Sequence, residues 1–475
     1  MSIRQTGTTQ FHQEQYQIKL GARNFAISTK MILIAILFLS ITLRLLSAVY
    51  QGNNVSDLPG VYDQISYDGL ARRVVDGFGF SFAEGHWPAT PAGEPTAHWS
   101  YLYTLYLALI YKLFGPYPLI ARVIQALIAG IFQTLLIVRI GSRLFNRTVG
   151  LIAAALNAAY IYFFYYAGAL MTETFYITCI LWTFDVSFRL VYMDRNTHKV
   201  GQTRSRLQWL ELGLAIGLTV LLRQLLLLFL PFLFIWIWWN LPQNEAVSWK
   251  RKIHLSAIRG LTISTAVLAL LILPFTIRNY RAFGTFVLLN TNAGFAFFWG
   301  NHPVHGTHFM PLLSGGAQQY HDLIPTELLS LNEAELDKAL LKLGIQFVAD
   351  DPGRFLLLSI SRMKEYFKFW PTAGSGLVSN LSRIGSFGIS LPFVLYGLWV
   401  TLFHEWKFKK SNERWELVLI LSFILVYTAI HLLSWTLIRY RLPLDSLFLI
   451  FAAVGIQRLA ERYIPSFRVS EGYHV

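Results

Sequence analysis

The 475-residue chain has a single cysteine, Cys179, set inside an apolar run. No disulfide can form within the chain, and a cysteine-based zinc site is not expected. Charge is scarce as well. Asp, Glu, Lys and Arg make up 14% of the residues, against about 25% in soluble proteins. With 54% hydrophobic residues and a mean hydropathy of +0.45, the composition is that of a membrane protein. Acids are the scarcer sign, 26 against 40 bases, which leaves a net charge of +14. The bases cluster between apolar runs, so they read as topology signals, and nucleic acid is not expected as a partner. No internal repeat or low-complexity tract is evident. The first apolar run begins near residue 25, behind a polar basic segment, and is expected to be a retained anchor.

A membrane span needs about 20 mostly apolar residues. Ten runs stand out, near 26–49, 118–140, 148–166, 174–192, 208–222, 225–240, 257–275, 386–403, 415–434 and 441–458, of which the shorter 208–222 and 225–240 are alternatively one interrupted pair. The piece "SYLYTLYLALIYKLFG" (100–115) is ambiguous. If it lies along the outer interface, as its tyrosines suggest, the basic segments 139–147, 195–206, 250–259 and 407–414 all face the cytoplasm. So do the N-terminal bases Arg4, Lys19, Arg23 and Lys30 and the tail from Arg458. Both termini are then cytoplasmic, in a cell (inner or plasma) membrane. Two sizeable segments face outward, 51–117 and 276–385. The second holds a capped helical pattern at 331–352. It also holds an apolar and basic stretch at 353–371, which reads as an interfacial helix contacting membrane lipids.

The first outer segment contains "VYDQISYDGLARRVVDGFGFSF" (61–82). Residues 51–99 carry six acids against only Arg72 and Arg73. Over 63–76, Asp63, Tyr67, Leu70, Ala71 and Val74 follow one helical face. Asp68, Arg72 and Asp76 form a solvated ladder on another. Asp63 heads the apolar stripe, and two readings stand for it: a helix cap, or a general base held at the membrane surface. A base needs a leaving group stabilised nearby. In a membrane that group can be a lipid phosphate, for which arginine is the natural clamp. Arg223, Arg278, Arg439 and Arg441 sit at the outer ends of spans, and for each the alternative is snorkelling to the headgroups. Glu173, in "LMTETFY", opens another span. It reads either as part of a cap with Thr172 or as a second carboxylate that orients the acceptor or holds a divalent cation such as Mg or Mn. His302, His305 and His308 recur at intervals of three, but Pro303 and Gly306 break the helix that would align them for a metal. Asp185, Arg44 and His431 fall within or near spans.

With these residues in place, the sequence resembles the GT-C superfamily of membrane glycosyltransferases. The branch is that of aminoarabinose transferase and the dolichyl-phosphate-mannose-protein mannosyltransferases. The resemblance runs through "YDQISYDGLARRVVDGFGFS", "EPTAHWSYLYTLYLALIYKLFG", "LMTETFY", "LPFTIRNYRAFG" and "RYRLPLDSLFLIFAAVGI". It implies transfer of a sugar from a polyprenyl-phosphate carrier, on the outer face and with inversion. It also implies Asp63 as the catalytic carboxylate, with Glu173 at the position of a second acidic motif. The family often follows its aspartate with an acid, where this chain has Gln64, and its "YP" is "YLYT" here.

The expectation is therefore an all-α polytopic membrane protein of GT-C type, with about ten (10–13) spans and an outer helical loop layer. Its parts are a tail (1–25), a catalytic module (26–275), the second outer segment (276–385), C-terminal spans (386–458) and a tail (459–475). Asp63 and Glu173 are the candidate catalytic pair, and Arg278, Arg439, Arg441 and Arg223 the candidate phosphate ligands. Tyr67, Trp99, Tyr101, Asn279 and Tyr280 are the candidate pocket. The acceptor is a hydroxyl or amine on a glycan, lipid or protein. The alternatives are a transporter or lipid flippase, disfavoured by the missing repeat, and a non-catalytic assembly subunit on the same scaffold.

Overall fold

The computed structural model describes residues 15–20, 23–58, 61–196, 202–241, 255–311, 313, 318–407, 409 and 411–463. The first half of the basic segment 250–259, the middle of 195–206 and the tail from 464 lie outside the described residues. Among the described residues the fold is helical apart from a short antiparallel hairpin, Gln15–Leu20 with Arg23–Ser28. That hairpin precedes the first span, in a segment read from sequence only as a tail. Ser28 then caps α1 (Thr29–Gln51) by accepting from the Lys30 amide.

Among the described residues, seven helices are long and apolar enough to cross a membrane. The count is eight if the bent pair α5 (Arg147–Ala159) and α6 (Ile161–Gly168) is one span. Two expected runs fall outside this set. One lies in α8 (Gln202–Leu222), whose start is polar. The other ends in α9 (Leu230–Asn240), which has only 11 residues. The most enclosed span is the one holding α18 (Leu442–Tyr463), which packs on α5, α7 (Glu173–Asn196) and α16 (Ile389–Trp399). α4 (Pro118–Leu144) joins α1, α5 and α7, and α10 (Leu255–Phe283) packs along α8. Where α16 crosses α18, Gly397 and Gly455 face one another. A Cβ on Gly397 would overlap the Phe451 carbonyl. Small residues permit this approach, which dispersion between backbones then stabilises.

Two loop segments gather at one end of this bundle. The first contains α2 (Asp63–Val75) and α3 (Tyr101–Phe114). α2 matches the expected helix, and Tyr67, Leu70 and Ala71 are buried as its apolar stripe requires. The second face is less solvated than expected. Asp68 pairs with Arg72 at 2.8 Å and also accepts from the Tyr111 hydroxyl of α3 at 2.5 Å. At 14 residues α3 is short of the length a span needs. The second segment holds α11 (Ala293–Asn301), α12 (Gln318–Asp322), α13 (Glu333–Asp350) and α14 (Pro352–Tyr366). Asn332 caps α13 through the amides of Ala334 and Glu335. α14 leaves Leu356, Leu357, Ile360 and Met363 exposed along one side as an apolar stripe.

α13 fastens the two segments together. The buried Glu333 accepts from the Thr90 hydroxyl at 2.9 Å, the Ala97 amide at 2.7 Å and the Thr291 hydroxyl. Replacing it with alanine orphans all three donors, at about 1–3 kcal/mol for each that stays dry. We expect Glu333→Ala to lower stability and to speed amide exchange around Ala97, read by hydrogen–deuterium exchange. Unchanged protection there would mean that the joint is held elsewhere.

One turn further along α13, Asp337 accepts from the Gly294 and Phe295 amides at the start of α11. Burial pushes its carboxyl up from 3.8 to about 6. Across that interval the folded protein binds the proton more tightly than the unfolded chain. The Asp337 contribution to stability therefore falls as pH rises from 3.8 to about 6. The difference in stability between wild type and Asp337→Asn should change by on the order of 2 kcal/mol over that range. A pH-independent difference would contradict this.

Candidate active site

Four charged side chains, distant in sequence, meet at the loop end of the bundle. Asp63 opens α2, Glu173 opens α7, Arg223 follows α8, and Arg439 lies in the turn Ile438–Arg441 just before α18. Asp63 makes no side-chain cap; the N-cap of α2 is Tyr62, without a capping bond. Its Oδ2 instead lies 2.8 Å from Arg439 Nη2. Glu173, 2% exposed, lies 2.5 Å from Arg223 Nη2 and 3.7 Å from Arg439 Nε. Arg439 thus touches both carboxylates. Two acids and two guanidiniums sum to zero, which offsets much of the cost of burying them.

Arg223 is further fixed by donating to Thr172 Oγ1 at 3.0 Å. Aromatic rings brace both arginines. Tyr440 lies 5.3 Å from the Arg223 guanidinium and 5.4 Å from that of Arg439, and Tyr176 lies 5.6 Å from Arg223. Tyr67, one turn after Asp63, is buried edge-on against Trp99 at 5.5 Å. Burial, with the Asp63 carboxylate beside it, pushes the Tyr67 phenol well above its ordinary range. The phenol therefore stays protonated.

The other candidates lie apart from these four. Arg441 is fully buried and faces Asp445 at 2.8 Å, with Tyr160 donating to the same carboxylate. It also donates to the Tyr366 carbonyl. Arg278 donates to the carbonyls of Thr96 and Phe80 at 2.8 and 3.1 Å and so ties the first loop segment to α10. Tyr101 and Asn279 belong to that strut, bonded to each other at 2.5 Å. Arg278 and Asn279 are placed by α10 continuing through Pro274 to Phe283, two turns beyond the expected span, and Tyr101 meets them from the start of α3. Tyr280, on the same helix, is 60% exposed. Asp185 pairs with Arg139 and Arg189 in the body of the bundle. Arg44 donates through its terminal nitrogens to Ser40, Gln133 and Asn157.

The donor set does not fit a divalent cation. Among the described residues, Asp63 and Glu173 are the carboxylates of the group, and the Arg439 guanidinium already touches both. Among the described residues no group of three or more His, Cys, Asp or Glu is placed to hold a metal. The histidine trio is held locally. His302 accepts from the Val304 amide, His305 meets the Trp299 carbonyl, and His308 bonds Thr307. Burial pushes His302 and His305 down to about 4, so both are neutral at pH 7.

Tyr440 and Tyr176 were not among the expected site residues. Tyr440 had a signal in "RYRLP", since an aromatic between two arginines at a span boundary is a natural brace. No local pattern marks Tyr176.

Comparison with known proteins agrees with this architecture. Residues 100–270 match the family model described as dolichyl-phosphate-mannose-protein mannosyltransferase. No curated protein sequence matches the chain. Among solved structures, AglB from Archaeoglobus fulgidus, in complex with an inhibitory peptide and a dolichol-phosphate, is 16% identical with a TM-score of 0.54. The match covers 91% of this chain and 50% of that one. The apo form of the Archaeoglobus fulgidus oligosaccharyltransferase is 14% identical with a TM-score of 0.53, covering 91% and 51%. This chain therefore spans about half the length of the archaeal chains it matches. The chain is a multi-pass membrane protein with the fold of the GT-C glycosyltransferases.

Proposed function

We propose that the protein is an inverting glycosyltransferase that takes a sugar from a polyprenyl-phosphate donor and passes it to a hydroxyl or amine acceptor. The single observation that carries this reading is the convergence of Asp63, Glu173, Arg223 and Arg439 from four separate elements. The dolichol-phosphate held by the archaeal relative of this fold supports a lipid-linked donor. The Lys and Arg bias between spans supports cytoplasmic termini and a reaction on the outer face.

In this reading the donor phosphate lies on Arg439 and Arg223 and competes with Asp63 for Arg439. Asp63, released from that pairing, takes the proton from the acceptor as its oxygen or nitrogen attacks C1 of the sugar. The C1–O bond to phosphate breaks, and polyprenyl phosphate leaves with the electron pair and the charge the arginines stabilise. Glu173 holds both guanidiniums at the required spacing. Arg278, Tyr101 and Asn279 act at a distance, by anchoring the loop that carries Asp63. Arg441 supports the turn that presents Arg439. Tyr67 and Trp99 form the wall beside the base.

The test is transfer from radiolabelled undecaprenyl- and dolichyl-phosphate sugars, hexose and pentose, by purified protein in liposomes. Label reaching an acceptor only when protein is present supports the proposal. Protein that binds these lipids but moves them intact across the bilayer would favour a flippase.

A further inference from the structure

His431 lies near the end of α17 (Ser411–Leu433) and is joined to the arginine pair through the ring of Tyr440. Its ring is stacked between Tyr366 at 5.8 Å and Tyr440 at 4.9 Å, both at 27°, with Tyr427 edge-on at 4.9 Å. Tyr440 is the same ring that braces Arg223 and Arg439, and Arg223 acts electrostatically on the imidazole. Nδ1 lies 3.2 Å from the Trp435 carbonyl. A carbonyl can only accept, so Nδ1 carries the hydrogen and Nε2 is left as a bare acceptor. Nε2 has no hydrogen-bond partner, and the residue is only 6% exposed. Buried polar atoms almost always have partners, so an open one beside a binding site invites a ligand atom.

Bare Nε2 selects its partner by chemistry. A phosphate oxygen is itself an acceptor and does not complete it. An isoprenoid chain has nothing to donate. If a donor phosphate lies on Arg223 and Arg439, as proposed above, the group bonded to that phosphate is the sugar. Its hydroxyls, or an amine, are the only donors the lipid carries. We infer that His431 is a specificity residue that accepts a hydrogen bond from the donor sugar, so the sugar is read from the α17 side of the arginine pair.

The experiment compares binding of bare undecaprenyl phosphate with undecaprenyl phosphate bearing mannose, glucose, galactose or arabinose. It uses full-length protein in detergent, as wild type, His431→Phe and His431→Gln. Phenylalanine fits the tyrosine stack but cannot accept, whereas a glutamine oxygen can. Wild type is expected to bind at least one sugar lipid more tightly than the bare lipid. His431→Phe should weaken that sugar lipid about 10- to 100-fold, leave the bare lipid unchanged, and be rescued in large part by His431→Gln. A sugar preference that survives in His431→Phe overturns the inference. So does equal weakening of bare and sugar lipids with a lower melting temperature, which would make the ring a packing element. Wild type that binds bare and sugar lipids equally overturns the role of His431 while leaving the transfer reading intact. Wild type that binds none of these lipids overturns both.

Discussion

Asp63→Asn should reduce kcat by about 100- to 10,000-fold, the usual contribution of a positioned general base, while the protein folds and binds donor lipid normally. Asparagine keeps an oxygen that can accept from Arg439, now 2.8 Å from the Asp63 carboxylate, so the start of α2 stays in place. The substitution also raises the charge of the group from zero to +1. Anionic donor should therefore bind at least as tightly, and a fall in turnover could not be attributed to lost binding. Initial rates at saturating donor, with melting temperature as a folding check, separate these effects. Full turnover in the variant would remove Asp63 from the chemistry and return it to a structural role.

Glu173→Gln should act first on stability. The carboxylate is 2% exposed and is the closest counter-ion to Arg223, at 2.5 Å. Breaking a buried pair by removing one partner costs about 3–5 kcal/mol, because the remaining charge is left uncompensated. Arg223 is partly exposed, with side-chain accessibility 19%, so the lower end of that range is expected. Removing both partners is milder. The double substitution Glu173→Gln with Arg223→Gln should recover part of the loss, and the cycle should show coupling of about 1–3 kcal/mol. The single variant also leaves two guanidiniums facing only Asp63. It should hold the polyprenyl phosphate product more tightly and release it more slowly. Strict additivity across the cycle would show that the 2.5 Å pairing contributes little.

Elements with strong local signals were legible in the sequence. The face of α2 that buries Tyr67, Leu70 and Ala71 was expected from spacing alone. So was the helix behind Asn332. Glu173, Arg223 and Arg439 were singled out as ionisable residues at the ends of apolar runs, and Asp63 as the head of an apolar helical stripe in the first outer segment. What the sequence did not contain was their pairing. Arg439 and Arg441 are two residues apart, and no composition argument separates them. They differ because a tight turn of 3-10 type, Ile438–Arg441, points one guanidinium at Asp63 and the other at Asp445. Arg278 was displaced from the group for a related reason. α10 runs on through Pro274, which membrane helices tolerate when neighbours satisfy the freed backbone. That extension carries Arg278 onto the loop carbonyls of Phe80 and Thr96. The Glu333 joint links residues more than 200 positions apart and leaves no local trace.

The central claim is a single displacement at C1 with Asp63 as base, and the anomeric configuration of the product tests it most directly. Wild-type protein would be given a donor of defined configuration, and the glycosidic linkage of the isolated product read by NMR. The account predicts inversion at C1. Retained configuration would contradict it, because retention requires a double displacement or attack from the face the phosphate leaves, and neither is a single in-line displacement at C1.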